Sequence, residues 1–193
     1  MDEPSFFRQK CLQQRISFFR PSSESLFNEK QRNLKSDPKP TRRGHKGKNN
    51  FQSNLRIIGV NANGISSELN SLNHLLKELN PSVLCIQETK KRKMGGIKIE
   101  SKDYHIFESV RKKNSNGGGL ATVVKSDLNP VWIGEGDDIV EILIVEIHVD
   151  NMPIRIINGY GPQEPDSVER KTLFWSRMNM EIKDAVDANI GIA

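Results

Sequence analysis

Side chains suited to phosphate and metal chemistry stand at the ends of apolar runs. Leu55 to Val60 stops at Asn61 and Asn63, Val83 to Ile86 stops at Gln87 and Glu88, and MPIRIING leads to Tyr160. A carboxylate among neutral amides is hard-oxygen chemistry, suited to Mg²⁺ and phosphate oxygens and unsuited to zinc. Tyr160 adds a phenol proton, set between glycines and a proline that permit a sharp turn. A plainer meaning stays open: Asn63-Gly64 as turn punctuation, and Glu88 as a solvated residue at a strand end.

The intervening pattern says how these residues would meet. Leu69, Leu72, Leu75, Leu76 and Leu79 recur at three- and four-residue spacing, which predicts a helix between two strands. A βαβ crossover makes its strands parallel and brings both C-terminal ends to one edge, where ligands gather in open α/β sheets. Asn61, Asn63 and Glu88 would then be neighbours. The following loop carries Lys90, Lys91, Arg92 and Lys93, which could contact a phosphate backbone or could simply be solvated.

Further along, IKIES and YHIFESV read as two short strands, RKKNSNGGG as a break, and GLATVVKS as a strand closing an antiparallel hairpin with a basic tip. IVEILIVEIHV is apolar on both faces and MPIRIING is its partner across a turn at Asp150 and Asn151. Asp166 or Ser167 would cap a helix whose Val168, Thr172, Trp175, Met178, Ile182 and Val186 form a stripe predicted to pack on the sheet. NIGIA starts another buried strand.

The 193 residues suffice for one domain, yet only 35% are hydrophobic. Residues 1 to 52 hold 12 Lys and Arg against 5 Asp and Glu, and the remainder 17 against 19, so the basic excess lies at the N-terminus. Residues 1–53 therefore read as a disordered basic arm before a domain at 54–193. Lys39, Arg42, Arg43, Lys46 and Lys48 would attract nucleic acid or act as a nuclear import signal, unless the arm is a solvated linker. Phe6, Phe7, Phe18 and Phe19 are too irregularly spaced to argue an amphipathic helix.

Several classes drop out. Cys11 and Cys85 make no disulfide framework or Cys-rich metal site, and His45, His74, His105 and His148 are scattered without ligand spacing. No serine has a nucleophile-elbow glycine pattern, and Gly117 to Gly119 lack the Lys-Ser/Thr of a P-loop. No apolar run approaches bilayer length and the N-terminus lacks a secretory signal, so no membrane association is expected and an intracellular, nuclear location is.

VNANGI, PSVLCIQETK, GGGLATVV and INGYGPQ, in this order, make residues 55–193 resemble the endonuclease/exonuclease/phosphatase (DNase I-like) family, most of all the endonuclease domains of non-LTR retrotransposons. ERKTLFW also resembles the segment after the Tyr turn in that group. The resemblance implies an α/β fold, a partial four-layered sandwich of two sheets with helices outside. It implies Glu88 as the Mg²⁺-binding carboxylate (Mn²⁺ in its place), Asn61 as the active-site amide and Tyr160 as the phenol beside the scissile phosphate. Asn63 would contact the nucleic acid or a metal-bound water. The implied reaction is phosphodiester hydrolysis in DNA.

The departures are specific. Gly-Pro-Gln follows Tyr160 where that family more often has Ala-Pro-Asn, and its Gly-Asp-x-Asn, late Asp and terminal Asp-His elements are absent. The expectation is the N-terminal part of a DNA endonuclease, inactive alone, with the rest of the domain or a reverse transcriptase encoded downstream as partner. Alternatives are a non-catalytic nucleic-acid-binding relic using the basic arm, and a phosphoesterase of the same fold. Half a sandwich should leave IVEILIVEIHV and the 166–187 helix partly uncovered and expose sheet edges, favouring association.

Overall fold

The computed structural model describes residues 16–19, 55–65, 69–111 and 117–193. Strands β1 (Ile16–Phe19), β2 (Leu55–Asn61), β3 (Val83–Gln87), β4 (Tyr104–Ser109) and β5 (Leu120–Lys125) form one sheet in the order β1-β2-β3-β5-β4. β2 and β3 are parallel with Asn61 opposite Gln87, joined through helix α1 (Leu69–Leu79), so the expected strand–helix–strand unit is present and its polar ends are level. β4 and β5 form the expected antiparallel hairpin.

The second sheet has the order β6 (Val131–Glu135), β7 (Glu141–Val149), β8 (Met152–Tyr160), β9 (Gly191–Ile192). Asp150 and Asn151 join β7 to β8 with φ of 50° and 64°. That left-handed pair is what a two-residue hairpin turn needs and what Asp and Asn tolerate. Helix α2 (Val168–Asp187) crosses from β8 to β9; the Ser167 hydroxyl caps it by accepting from the Arg170 N–H.

Three apolar clusters define four layers. Leu72, Leu75 and Leu76 of α1 pack on Ile58, Leu84 and Ile86 of the first sheet. Leu55, Val83 and Val124 of that sheet meet Val145, Ile147 and Ile156 of the second. On the far side of the second sheet, Phe174 of α2 covers Ile142 and Ile144. The order is helix, sheet, sheet, helix.

Several details differ from the sequence expectation. The strand Ile16–Phe19 pairs antiparallel with β2, within a segment read as an unpacked arm; the rest of that arm, Phe6 and Phe7 included, lies outside the described residues. IKIES is not a strand, because the Ile97 N–H goes to the Glu108 carboxylate rather than to a neighbouring strand. β6 is not marked in the sequence: Val131, Trp132 and Ile133 are all exposed on this edge strand, so no alternation announces it. Both faces of β7 prove covered, one by the first sheet and one by α2.

The α2 stripe is the largest correction. Val168, Thr172, Trp175, Ile182 and Val186 are exposed, and of the six only Met178 packs inward. Phe174, Glu181 and Ala185 are the buried residues. Ionic contacts turn the helix: Arg155 of β8 lies 3.8 Å from Glu181, and Arg177 holds the same carboxylate at 2.8 Å. No helix among the described residues is long and apolar enough to cross a membrane.

Candidate active site

Beyond the last residues of β2 and β3 the two chains stay paired. The N–H groups of Ala62, Gly64 and Ile65 donate to the carbonyls of Gln87, Glu88 and Thr89, and on the other side Thr89 and Lys90 donate to Gly119 and Gly118. Asn63, Glu88 and Lys90 take left-handed backbone conformations, with φ of 48°, 52° and 53°. Such a conformation costs a non-glycine residue on the order of 1–3 kcal/mol and persists where neighbours over-determine it, commonly at functional sites. Gly119 at φ +81° is also required by space, since a Cβ there would come within 2.5 Å of the Thr89 hydroxyl.

The backbone aims three side chains at one another. Asn61 Nδ2 donates to Glu88 Oε1 at 2.7 Å, and the Tyr160 hydroxyl donates to the same oxygen at 2.8 Å. Asn61 Oδ1 is held in turn by the Asn63 N–H at 3.0 Å. Asn61, Asn63 and Glu88 meet as the βαβ unit requires, and Tyr160 joins them from the other sheet. Asn63 faces the loop, where its Oδ1 accepts from the Lys90 ammonium. Lys90, Arg92 and Lys93 are exposed, whereas Lys91 is half-buried.

Two further amides set the height of Tyr160. Asn158, buried on β8, donates across the sheet interface to the Ala121 carbonyl at 2.9 Å and to the Ile86 carbonyl at 3.3 Å. Gln87 Nε2 reaches back to the Gly159 carbonyl at 2.8 Å. Sequence reading noted Gln87 as a polar strand end and gave Asn158 no role. The signal was available: an amide amid apolar β8 residues, two before a tyrosine.

Gln163 completes the chain of donors, its Nε2 bonding the Tyr160 oxygen at 2.6 Å. Burial first, then the hydrogen bond and charge of Glu88, hold the phenol above its ordinary range, while Gln163 pulls it down. Tyr160 is therefore a protonated donor at neutral pH. Burial pushes the Cys85 thiol up to about 12, consistent with a residue that does no nucleophilic work.

A cleft of about 320 Å³ opens over this cluster, lined by Glu88, Tyr160, Gln163 and Asp166 on one side and by Arg111 and Arg170 among the rest. Glu141, buried at the start of β7, pairs with Arg111, lies 3.9 Å from Arg170 and accepts from the Gly119 N–H at 2.8 Å. Arg170 also holds Asp166 at 2.7 Å. No motif in the sequence announces this ionic wall, because its members come from three separate segments.

No family model matches the chain, and no curated protein matches it. Solved structures do. The catalytic domain of Xenopus laevis APE2 is 22% identical, with a TM-score of 0.55 over 70% of this chain and 55% of that one. A humanized TDP2 from D. rerio is 15% identical, with a TM-score of 0.51 over 67% and 56%. A 3′–5′ exonuclease from Neisseria meningitidis is 18% identical, with a TM-score of 0.50 over 68% and 52%. The fold is DNase I-like. The chain spans about half the length of the solved structures it matches.

Proposed function

We propose that this chain carries the metal- and phosphate-binding part of a Mg²⁺-dependent DNA endonuclease of the non-LTR retrotransposon type. The observation behind it is the convergence of Asn61 and Tyr160 on one oxygen of Glu88, at an open cleft where the strand ends of both sheets come together. The donor set fits Mg²⁺: a carboxylate with amide and phenol neighbours, and neither Cys nor His among the described residues that line the cleft. Among the described residues no group of three His, Cys, Asp or Glu could hold a metal ion by itself. A Mg²⁺ ion held mainly through Glu88, or Mn²⁺ in its place, would complete its shell with water and phosphate oxygens and would offset charge on the phosphoryl group.

The chain's own residues supply orientation. Asn61 and Tyr160 direct their N–H and O–H bonds at Glu88 Oε1, so the direction of the carboxylate is set before a metal or phosphate arrives and little reorganisation is needed. Asn63 lies one hydrogen bond further out and would touch the nucleic acid or a metal-bound water. Activation of water is a different matter. Among the described residues Asp166 is the other carboxylate along the cleft, and its oxygens are engaged by Arg170 and by the Gln163 N–H. Those bonds hold it below the usual carboxylate range, which makes it a poor base. Hydrolysis would need a base from a segment that completes the sheet beyond β9, either the remainder of the same domain or a part of a reverse transcriptase polypeptide encoded downstream. Residues 1–53 would act as a basic arm for DNA and nuclear import.

Nicking of supercoiled plasmid in Mg²⁺ tests this. The chain alone should leave the plasmid intact, and the chain extended by its completing segment should nick it unless Glu88→Ala is present. Nicking by the chain alone would contradict the missing base; no nicking by the completed domain would contradict the nuclease reading.

A further inference from the structure

The loop that leaves the site after Glu88 is pinned at both ends. At the near end Thr89 and Lys90 donate to the Gly119 and Gly118 carbonyls, each at 3.0 Å. At the far end the buried Glu108 carboxylate of β4 accepts the N–H groups of Gly95 at 2.5 Å, Gly96 at 3.3 Å and Ile97 at 2.8 Å. Ile97 plugs into the core between α1 and the first sheet. Lys91 folds against Gly96, where a Cβ would sit 3.1 Å from the Lys91 chain. Between these anchors Arg92, Lys93 and Met94 face outward, with Met94 60% exposed.

Burying a carboxylate is costly, and three charge-assisted bonds to backbone N–H groups offset that cost. The outcome is a shaped loop instead of a loose one. A loose cationic loop would lose conformational freedom on meeting a phosphate backbone, whereas a pinned one has already lost it. Arg92 and Lys93 follow Glu88 in the same loop, and the exposed Met94 thioether is the kind of apolar tip that rests against sugars or in a minor groove.

We propose that residues 90–97 form a preformed docking surface for the sugar–phosphate backbone of a DNA duplex, and that Glu108 is the positioning residue that shapes it. The location of the scissile phosphate at Glu88 rests on the function proposed above; the docking surface itself needs no metal.

The test is binding of the full chain to a short labelled duplex in EDTA, read by anisotropy across a salt series. The basic N-terminal segment is present in every variant, so comparisons isolate the loop. Arg92→Ala with Lys93→Ala should lower the slope of log affinity against log salt by up to about two, at about 0.9 per phosphate contact. Glu108→Gln and Glu108→Ala should each weaken binding about tenfold in the parent and have no effect in the loop-neutralised background. An unchanged slope on removing both cations overturns the proposal, as does an equal effect of Glu108 substitution in the two backgrounds. If the Glu108 variants do not fold, the slope decides. Mg²⁺ binding at Glu88 is measured without DNA, so an unchanged salt slope with metal binding present sinks only the docking proposal, and a lowered slope with metal binding absent sinks only the nuclease reading.

Discussion

Tyr160 and Glu88, 72 residues apart in sequence, are joined by one hydrogen bond of 2.8 Å that bridges the two sheets. Glu88 follows β3 in the first sheet and Tyr160 ends β8 in the second. The site therefore exists only while the sheets are packed in register. Asn158 and Gln87 are the side chains that hold that register closest to the chemistry.

Asn158→Leu should accordingly destabilise the protein. It removes a buried donor from the Ala121 and Ile86 carbonyls, a loss of about 1–3 kcal/mol. Thermal unfolding should shift down by about 2–4 °C for each kcal/mol in a chain of this size. A variant as stable as the parent would mean that the two sheets do not depend on this amide.

The helix register gives a sharp contrast between adjacent residues. Phe174→Ala should cost about 3–5 kcal/mol, because the ring is buried on Ile142 and Ile144. Trp175→Ser should cost about 1 kcal/mol or less, because that ring is 59% exposed and loses only its edge contact with Phe174. Denaturant unfolding of the two variants reads both values, and equal losses would put the helix in the register first expected from its apolar stripe.

Acid should loosen the turn that carries Gln163. Asp166 is held below its ordinary value of 3.8, first by the Gln163 N–H and then by Arg170. A depressed folded value means that its contribution is complete above 3.8 and is lost as pH falls from there through the lower folded value. Thermal unfolding of Asp166→Asn should therefore lose part of the decline that the parent shows below pH 3.8. Parallel pH profiles would show that this carboxylate is not linked to folding.

Much of this was legible in residue order. The βαβ unit followed from the leucine spacing, and with it the meeting of Asn61, Asn63 and Glu88, since parallel strands leave no other place for their ends. The β7–β8 hairpin followed from Asp150 and Asn151. What stayed hidden depends on contacts between segments with no shared period. Glu108 draws Gly95, Gly96 and Ile97 out of strand pairing, Arg155 turns α2 by pairing with Glu181, and Glu141 gathers Arg111 and Arg170 beside the cleft. Each is a charged residue satisfied across the fold, and hydrophobic patterning carries no trace of its partner.

Glu88, oriented by Asn61 and Tyr160, is the metal-binding carboxylate in the proposed function. The most direct measurement is a Mn²⁺ titration of the full chain followed by electron paramagnetic resonance, with Mg²⁺ as competitor. The parent should bind Mn²⁺ and release it to Mg²⁺, Glu88→Gln should lose that binding, and Tyr160→Phe and Asn61→Ala should weaken it while leaving the fold intact. Mn²⁺ binding that is unchanged in Glu88→Gln would contradict the account.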